Sequence, residues 1–365
     1  MYTKMYEEYL EIFENRDNWF RFNNRKNFDI NQYSMDTLFT ENISQNFIRN
    51  FYYNEGLTEV IKKINFTPER AYHTISAFIF GILIKNRITL SMKTLPQICN
   101  DYNKSFIYFW SMVCLSHDIT YNIENNSSKH INNCKSIEDF IKHFNIEYNL
   151  LDKSQYSTLF KNYYKYKIDE FSLIDHGLTC GLIIYDFLMR EYHKHLEIKN
   201  QKPGCTLVTQ DDWKYSKQYP KHALKIAETI ARHNLWIASD NKIEAYKKHN
   251  LLELIPETKE FSKISYTETD SLLFLLGLVD TLDPIKCFDE FTFDCYEILK
   301  NIHISFKSKN KEILIQSTKY LTKEALDKWQ ELSSWMSLDI VCNYEAHEIK
   351  IKFEYKSANE EKMVA

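Results

Sequence analysis

The sequence predicts a mainly α protein, a helical bundle carrying a small C-terminal β-β-α-β appendage. Three observations predict it. The 365 residues include only six Gly and six Pro, so long uninterrupted helices are expected and Gly-rich phosphate loops are not. Apolar runs of helical length recur between residues 67 and 283, several of them bounded by recognisable end signals. After Pro284 the pattern changes to short stretches alternating apolar and polar residues, the period of a strand.

Three regions follow. Residues 1–66, aromatic-rich and polar by turns, are expected to form a helical extension packed on the core. The bundle itself is expected over 67–290 and the α+β appendage over 291–365. Thr67-Pro68-Glu69-Arg70 is a helix start, with a hydroxyl N-cap, Pro at the first helical position and then an acid. That helix should reach about Lys85, with His73 in its second turn. A second buried helix is expected over 104–118, built on the run Phe106 to Ser116 and ending in His117 and Asp118. The Asn- and Ser-rich stretch 122–136 reads as an exposed loop.

Asp175 can cap a helix running from His176 to about His193. Residues 200–219, with Pro203-Gly204 and Asp211-Asp212, read as a long loop. Pro220 opens a helix to Arg232, with Asn234 as its candidate left-handed cap. A helix over 269–282 carries Asp280 at its end, Asp283 beside it, and Pro284 as its stop. In the appendage, residues 301–306 and 312–316 alternate like strands around the polar Lys307 to Lys311. Residues 322–336 read as helical, and 347–355 alternate again.

Composition narrows the function. A net charge of −4 gives no reason to expect nucleic-acid binding. The eight Cys form no CxxC pair, and Cys114 and Cys180 lie in apolar helical runs as small hydrophobes. The apolar runs 74–84 and 271–279 fall short of the ~20 residues of a membrane span. The first residues lack the pattern of a signal peptide. A reduced, cytoplasmic protein away from the membrane is expected.

The candidates for chemistry are His73, His117, Asp118, His176, His222, His233 and Asp280. Each sits near a helix end or opening turn, and metal sites in helical bundles collect ligands from several helices pointing inward. His222 and His233 are 11 residues apart, which is about three turns and roughly 16 Å of rise. Two metals of one centre lie only about 3.5–4 Å apart, so one continuous helix cannot offer both to it. His233, at the helix C-terminus, is the favoured ligand, and His222 is then an orienting, substrate-facing or structural residue.

The ordered pattern His73, His117-Asp118, His176, His233, Asp280 resembles the HD-domain superfamily of metal-dependent phosphohydrolases. The strings Arg70-Ala-Tyr-His73, Cys114-Leu-Ser-His-Asp-Ile119, Asp175-His176-Gly177, Ile230-Ala-Arg-His-Asn234 and Leu278-Val-Asp-Thr-Leu-Asp283 carry it over about residues 67–290. The resemblance implies an HD-type bundle in which Asp118 bridges two metal ions. His73, His117 and Asp280 would complete the first site, while His176 and His233 would hold the second. Such imidazole-rich coordination suits Mn, Fe, Co, Ni or Zn better than Mg, and two ions sharing a hydroxide would aim it at phosphorus. Asp118, His222 and Arg70 are the expected catalytic residues. Arg70, Lys221, Lys225 and Arg232 are candidate phosphate contacts, and Tyr121 and Trp236 candidate base-stacking residues.

The chain departs from the family in two ways. The His-Asp pair is usually followed by Ile or Leu, Gly and often Lys, whereas here Ile119-Thr120-Tyr121 follow, so that Lys is missing. The Gly-Tyr-Pro signature of cyclic-di-GMP hydrolases is also missing. The implied substrate is a small phosphorylated molecule such as a nucleotide. Two other classes use compatible features: HD-type di-iron oxygenases, and non-catalytic sensors or partner-binding proteins, for which homo-oligomerisation is one role of the appendage.

Overall fold

The computed structural model describes residues 2–19, 30–57, 67–88, 90, 95, 102–201, 216–266, 270–286, 294–319 and 321–354. Residue 66 at the first expected boundary and both residues of the second, 290/291, fall outside them, as does most of the expected loop 200–219. The protein is mainly α, as expected. Its longer helices are α1 (Met5–Glu14), α2 (Glu41–Glu55), α3 (Pro68–Ile88), α4 (Tyr102–Cys114), α5 (Ser157–Phe171), α6 (His176–Gln201), α7 (Tyr219–Arg232) and α8 (Ser271–Leu282). No helix among the described residues is long and apolar enough to cross a membrane.

The bundle is organised around α8. Every residue from Ser271 to Leu282 is buried, the pattern of a helix surrounded by others. Helices α3, α4 and α7 pack on it, and α6 lies along α7. Two glycines set the spacing. A Cβ on Gly81 of α3 would fall 2.1 Å from Trp110 Cζ2 of α4, and one on Gly181 of α6 would fall 2.6 Å from Ala231 Cβ of α7. Each helix pair is therefore closer than any side chain at that position allows.

The helix-start signals hold. Pro68 and Pro220 open α3 and α7, and Asp175 Oδ1 accepts the Leu178 N–H at 3.0 Å as α6 begins. Asn234 is no left-handed cap, because positive φ angles among non-Gly residues occur only at Asn145, Ser172, Asn250, Lys311 and His347 of those described. Its amide instead donates to Asp175 Oδ2 at 2.7 Å and its Oδ1 accepts from Trp236 Nε1 at 2.8 Å. That long-range bond replaces the local cap.

Two further expectations are corrected. Helix α4 stops at Cys114, so His117 and Asp118 lie in the succession of turns after it. The stretch 122–136 is short helices (Tyr121–Asn125, Ser127–His130) and a 3-10 turn (Ile131–Asn133), with Ser127 and Cys134 buried. Most of its polar side chains are exposed, as expected, but the segment is tied down from within: Ser127 Oγ accepts the Ile174 N–H at 3.0 Å, and the Cys134 carbonyl accepts from Tyr164.

The appendage has more strands than expected. Strand β1 (Thr3–Lys4) joins β2 (His303–Lys307), β3 (Glu312–Gln316), β4 (Leu338–Asn343) and β5 (Glu348–Phe353) in an antiparallel sheet of order β1-β2-β3-β5-β4. Ile313 pairs with Ile351 and Ile315 with Ile349, all buried on one face, the cross-strand pairing that stabilises a sheet. The segment between β3 and β4 is helical, as expected (Lys323–Gln330, Leu332–Trp335). A two-residue strand is too short to show a period, and β4 carries an outward Val341 that blurs its alternation. The chain's beginning and its C-terminal part thus share one sheet, while α1 and α2 pack on α3.

Candidate metal centre

Four imidazoles are oriented by one device. His117 follows the end of α4, and its Nδ1 lies 2.7 Å from the Cys114 carbonyl. His233 follows the end of α7, and its Nδ1 lies 2.6 Å from the Ile230 carbonyl. In both cases the side chain satisfies a carbonyl left over where the helix stops. His73 Nδ1 lies 2.7 Å from Asp283 Oδ2, and His176 Nδ1 2.7 Å from Glu124 Oε2. Carbonyl and carboxylate oxygens only accept, so all four Nδ1 atoms donate, and a neutral ring then presents its Nε2 lone pair.

Those Nε2 atoms converge on two buried aspartates. His73 Nε2 lies 3.3 Å from His117 Nε2 and 3.0 Å from Asp280 Oδ1, with His117 Nε2 3.4 Å from the same oxygen. Asp118 Oδ2 stands 3.8 and 3.7 Å from the two nitrogens. On the other side, His176 Nε2 is 3.3 Å from Asp118 Oδ1. His233 packs edge-on against both His117 and His176, with ring centroids 5.2 and 5.3 Å away. Donor atoms of His73, His117 and Asp280, and again of His117, Asp118 and His233, lie within 4.8 Å of one another.

Such distances match those between ligands of a single cation. Ligands about 2.1 Å from one ion sit roughly 3.0–3.4 Å from each other, which is the spacing around Asp280. Asp118 Oδ1 is buried and accepts no hydrogen bond of good geometry, an orphaned anionic oxygen facing inward. The cluster has the donor set, the burial and the spacing to hold a metal ion.

The surrounding residues keep the rings in place. Asp283, the C-cap of α8, takes the His73 proton and also accepts from Ser76 Oγ at 2.5 Å, and Ser76 meets Tyr9 of α1 at 3.0 Å. Asp283→Asn should weaken metal affinity by roughly 10–100-fold, the usual cost of losing an orienting partner, as titration calorimetry would measure. Glu124 accepts both the His176 backbone N–H and its ring proton. Arg70 Nη1 lies 3.1 Å from Asp118 Oδ2, its guanidinium 3.4 Å over the Tyr121 ring, and Lys286 Nζ 2.5 Å from Asp280 Oδ1.

Other expected residues stand apart. His222 is buried and packs edge-on against Phe109, outside both groups of donor atoms. It stands apart from the metal donors, as the roughly three turns of helix separating it from His233 require. Arg232 is held by both oxygens of Asp270 at 2.8 and 3.2 Å and covers Tyr156, while Lys225 lies 3.9 Å from Asp270 and Lys221 is exposed. One face of Tyr121 is covered by Arg70, and Trp236 packs edge-on against Trp335. Asp175 caps α6, as expected, and also bonds Asn234. Glu124 and Lys286 escaped the sequence reading. Glu124 lay in a stretch read as loop, and Lys286 belongs to no pattern.

Electrostatics divides the rings. Burial opposes charge on His176, but Asp118 and Glu124 outweigh it and hold its pKa up to about 10. Burial, reinforced by His117 and His176, pushes His233 down to about 3. Burial would raise Asp118 and Asp280, yet His117, His176 and Arg70 hold the first, and Lys286, His117 and His73 the second, well below the usual carboxylate range. Fold and site thus define a mainly α protein with a buried His/Asp cluster able to hold a metal ion. Compared with protein families, curated proteins and solved structures, the chain matches none.

Proposed function

We propose that the protein is a metal-dependent phosphohydrolase of the HD type, acting on a nucleotide or a related phosphoester. The observation that carries this reading is the convergence of four imidazole Nε2 atoms, each ring anchored through Nδ1, on Asp118 and Asp280. Two ions suit the geometry. Asp118 Oδ2 faces His73 and His117 while its Oδ1 faces His176, so this carboxylate would bridge. The donors favour Mn, Fe, Co, Ni or Zn. When bound, such ions supply Lewis-acid charge at phosphoryl oxygens and lower the pKa of water.

The chain's own part is preorganisation. Backbone carbonyls and carboxylates hold the rings before a ligand arrives, so no reorganisation is spent at the moment of reaction. Burial of the donors excludes bulk water. Arg70, stacked on Tyr121 at the edge of the cluster, offers a guanidinium for a phosphate oxygen. The test is elemental analysis of anaerobically purified protein, then a phosphoester panel with each metal. Mn- or Co-stimulated turnover is expected. Bound metal without turnover of nucleotides, cyclic nucleotides or short single strands would refute the reading, and a mixed-valent iron signal with O₂ consumption would replace it by an oxygenase.

Metal loading should depend on pH through His176. Its pKa near 10 exceeds the ordinary 6.5, so below about 10 the metal-free protein carries a proton there that an ion must displace. Apparent affinity should therefore rise by about tenfold per pH unit between 7 and 9, with a proton released on binding. The stability of the metal-free protein moves oppositely. The contribution of this proton is complete below 6.5 and is lost as pH rises through about 10. Calorimetry in buffers of different ionisation enthalpy measures the first, and denaturant melts with chelator the second.

A further inference from the structure

Two basic side chains close the solvent side of the cluster. Side chains of the donors behind them are at most 10% exposed, whereas Arg70 is 21% and Lys286 24% exposed. Each neutralises one aspartate. They differ in how they are held. Arg70 is fixed from two sides, by Asp118 and by the Tyr121 ring. The Lys286 ammonium, in the turn after Pro284, has Asp280 as its only bonded partner among the described residues. The oxygen it touches, Asp280 Oδ1, is the one that faces His73 Nε2 and His117 Nε2.

Charge counting shows what an arriving ion would do. Four carboxylates, Asp118, Asp280, Asp283 and Glu124, touch the cluster or its imidazoles. Set against them, Arg70, Lys286 and two divalent ions leave an excess of two positive charges. A phosphate dianion cancels that excess. A divalent ion at Asp280 Oδ1 also sets like charge against the Lys286 ammonium where little water screens it. Of the residues around the cluster, Lys286 has the fewest ties to its place.

We propose that Lys286 is an exchangeable counter-cation, which neutralises Asp280 until metal enters and then turns, beside Arg70, to bind a phosphoryl group. The inference rests on the metal centre of the reading above, but not on hydrolysis. It makes Lys286 both a weakener of metal binding and a ligand for tetrahedral oxyanions.

The test titrates the full-length protein first with Mn(II) alone and then, once loaded, with inorganic phosphate. In Lys286→Met, metal should bind about tenfold more tightly and phosphate about tenfold more weakly, the scale of one charge-assisted hydrogen bond. Lys286→Arg, which keeps the charge, should stay near wild type in both. Should the Met variant not fold, Lys286→Gln, which keeps a donor toward Asp280, should show the same two shifts. A variant whose metal binding is no tighter, or whose phosphate binding is no weaker, overturns the proposal. The phosphoester panel separates the two ideas: a wild type that binds metal and phosphate without turnover sinks the hydrolase reading alone. Turnover alongside unchanged titrations in the variant sinks the role of Lys286 alone.

Discussion

Asp118→Ala should reduce bound metal to background and lower phosphoester turnover by at least about 10³-fold, the upper range for losing one electrostatic stabiliser. The effect is large because one carboxylate serves two sides. Its Oδ2 faces His73 and His117, its Oδ1 faces His176, and Oδ1 lacks a good hydrogen bond of its own. Alanine also strips Arg70 of its ion-pair partner. Metal stoichiometry by elemental analysis is the direct readout. Melting with and without chelator is the control for folding: wild type should lose stability when stripped of metal, by linkage, and the variant should not. A variant that still carries its full metal complement would refute the bridging role.

Gly81→Ala should destabilise the fold by about 3 kcal/mol, at the upper end for overpacking a core, as chemical denaturation would measure. The new methyl would meet Trp110 Cζ2 at 2.1 Å, and that ring has nowhere to go. Its Nε1 donates to the Phe78 carbonyl at 2.9 Å, and its face stacks on Phe106. Relief must come from separating α3 and α4, which position His73 and His117. Metal affinity should therefore fall together with stability. A variant of wild-type stability would mean that the two helices are not held as close as they stand.

Much of the bundle was legible because its signals are local. Pro68 and Pro220 at helix starts, Asp175 as a cap and Pro284 as a stop each act within one turn. Candidate ligands were legible for a related reason: His and Asp stand out in otherwise apolar helices, and His73, His117, Asp118, His176, His233 and Asp280 do come together. His222 shows the limit of that reasoning. It has the same residue type and an equally apolar helix, yet it packs on Phe109. Only helix length, with about three turns separating it from His233, argued against it.

The partners that make the cluster chemically specific were not legible. Glu124 sits in a polar stretch that folds into short helices, and Lys286 reaches Asp280 from a turn with no pattern. Strands β1 and β4 were missed because two residues carry no period and an outward Val341 disguises the other.

The sequence by itself determined the mainly α class, the starts of the main bundle helices and the supply of imidazole and carboxylate groups, since these follow from interactions spanning a few residues. Tertiary structure decided which nitrogen of each ring donates, which carboxylate faces two ways and which bases stand over the cluster. Those choices are made by contacts between residues up to 210 positions apart, such as His73 with Asp283. A hydrogen bond or an ion pair depends on distances that no local pattern encodes.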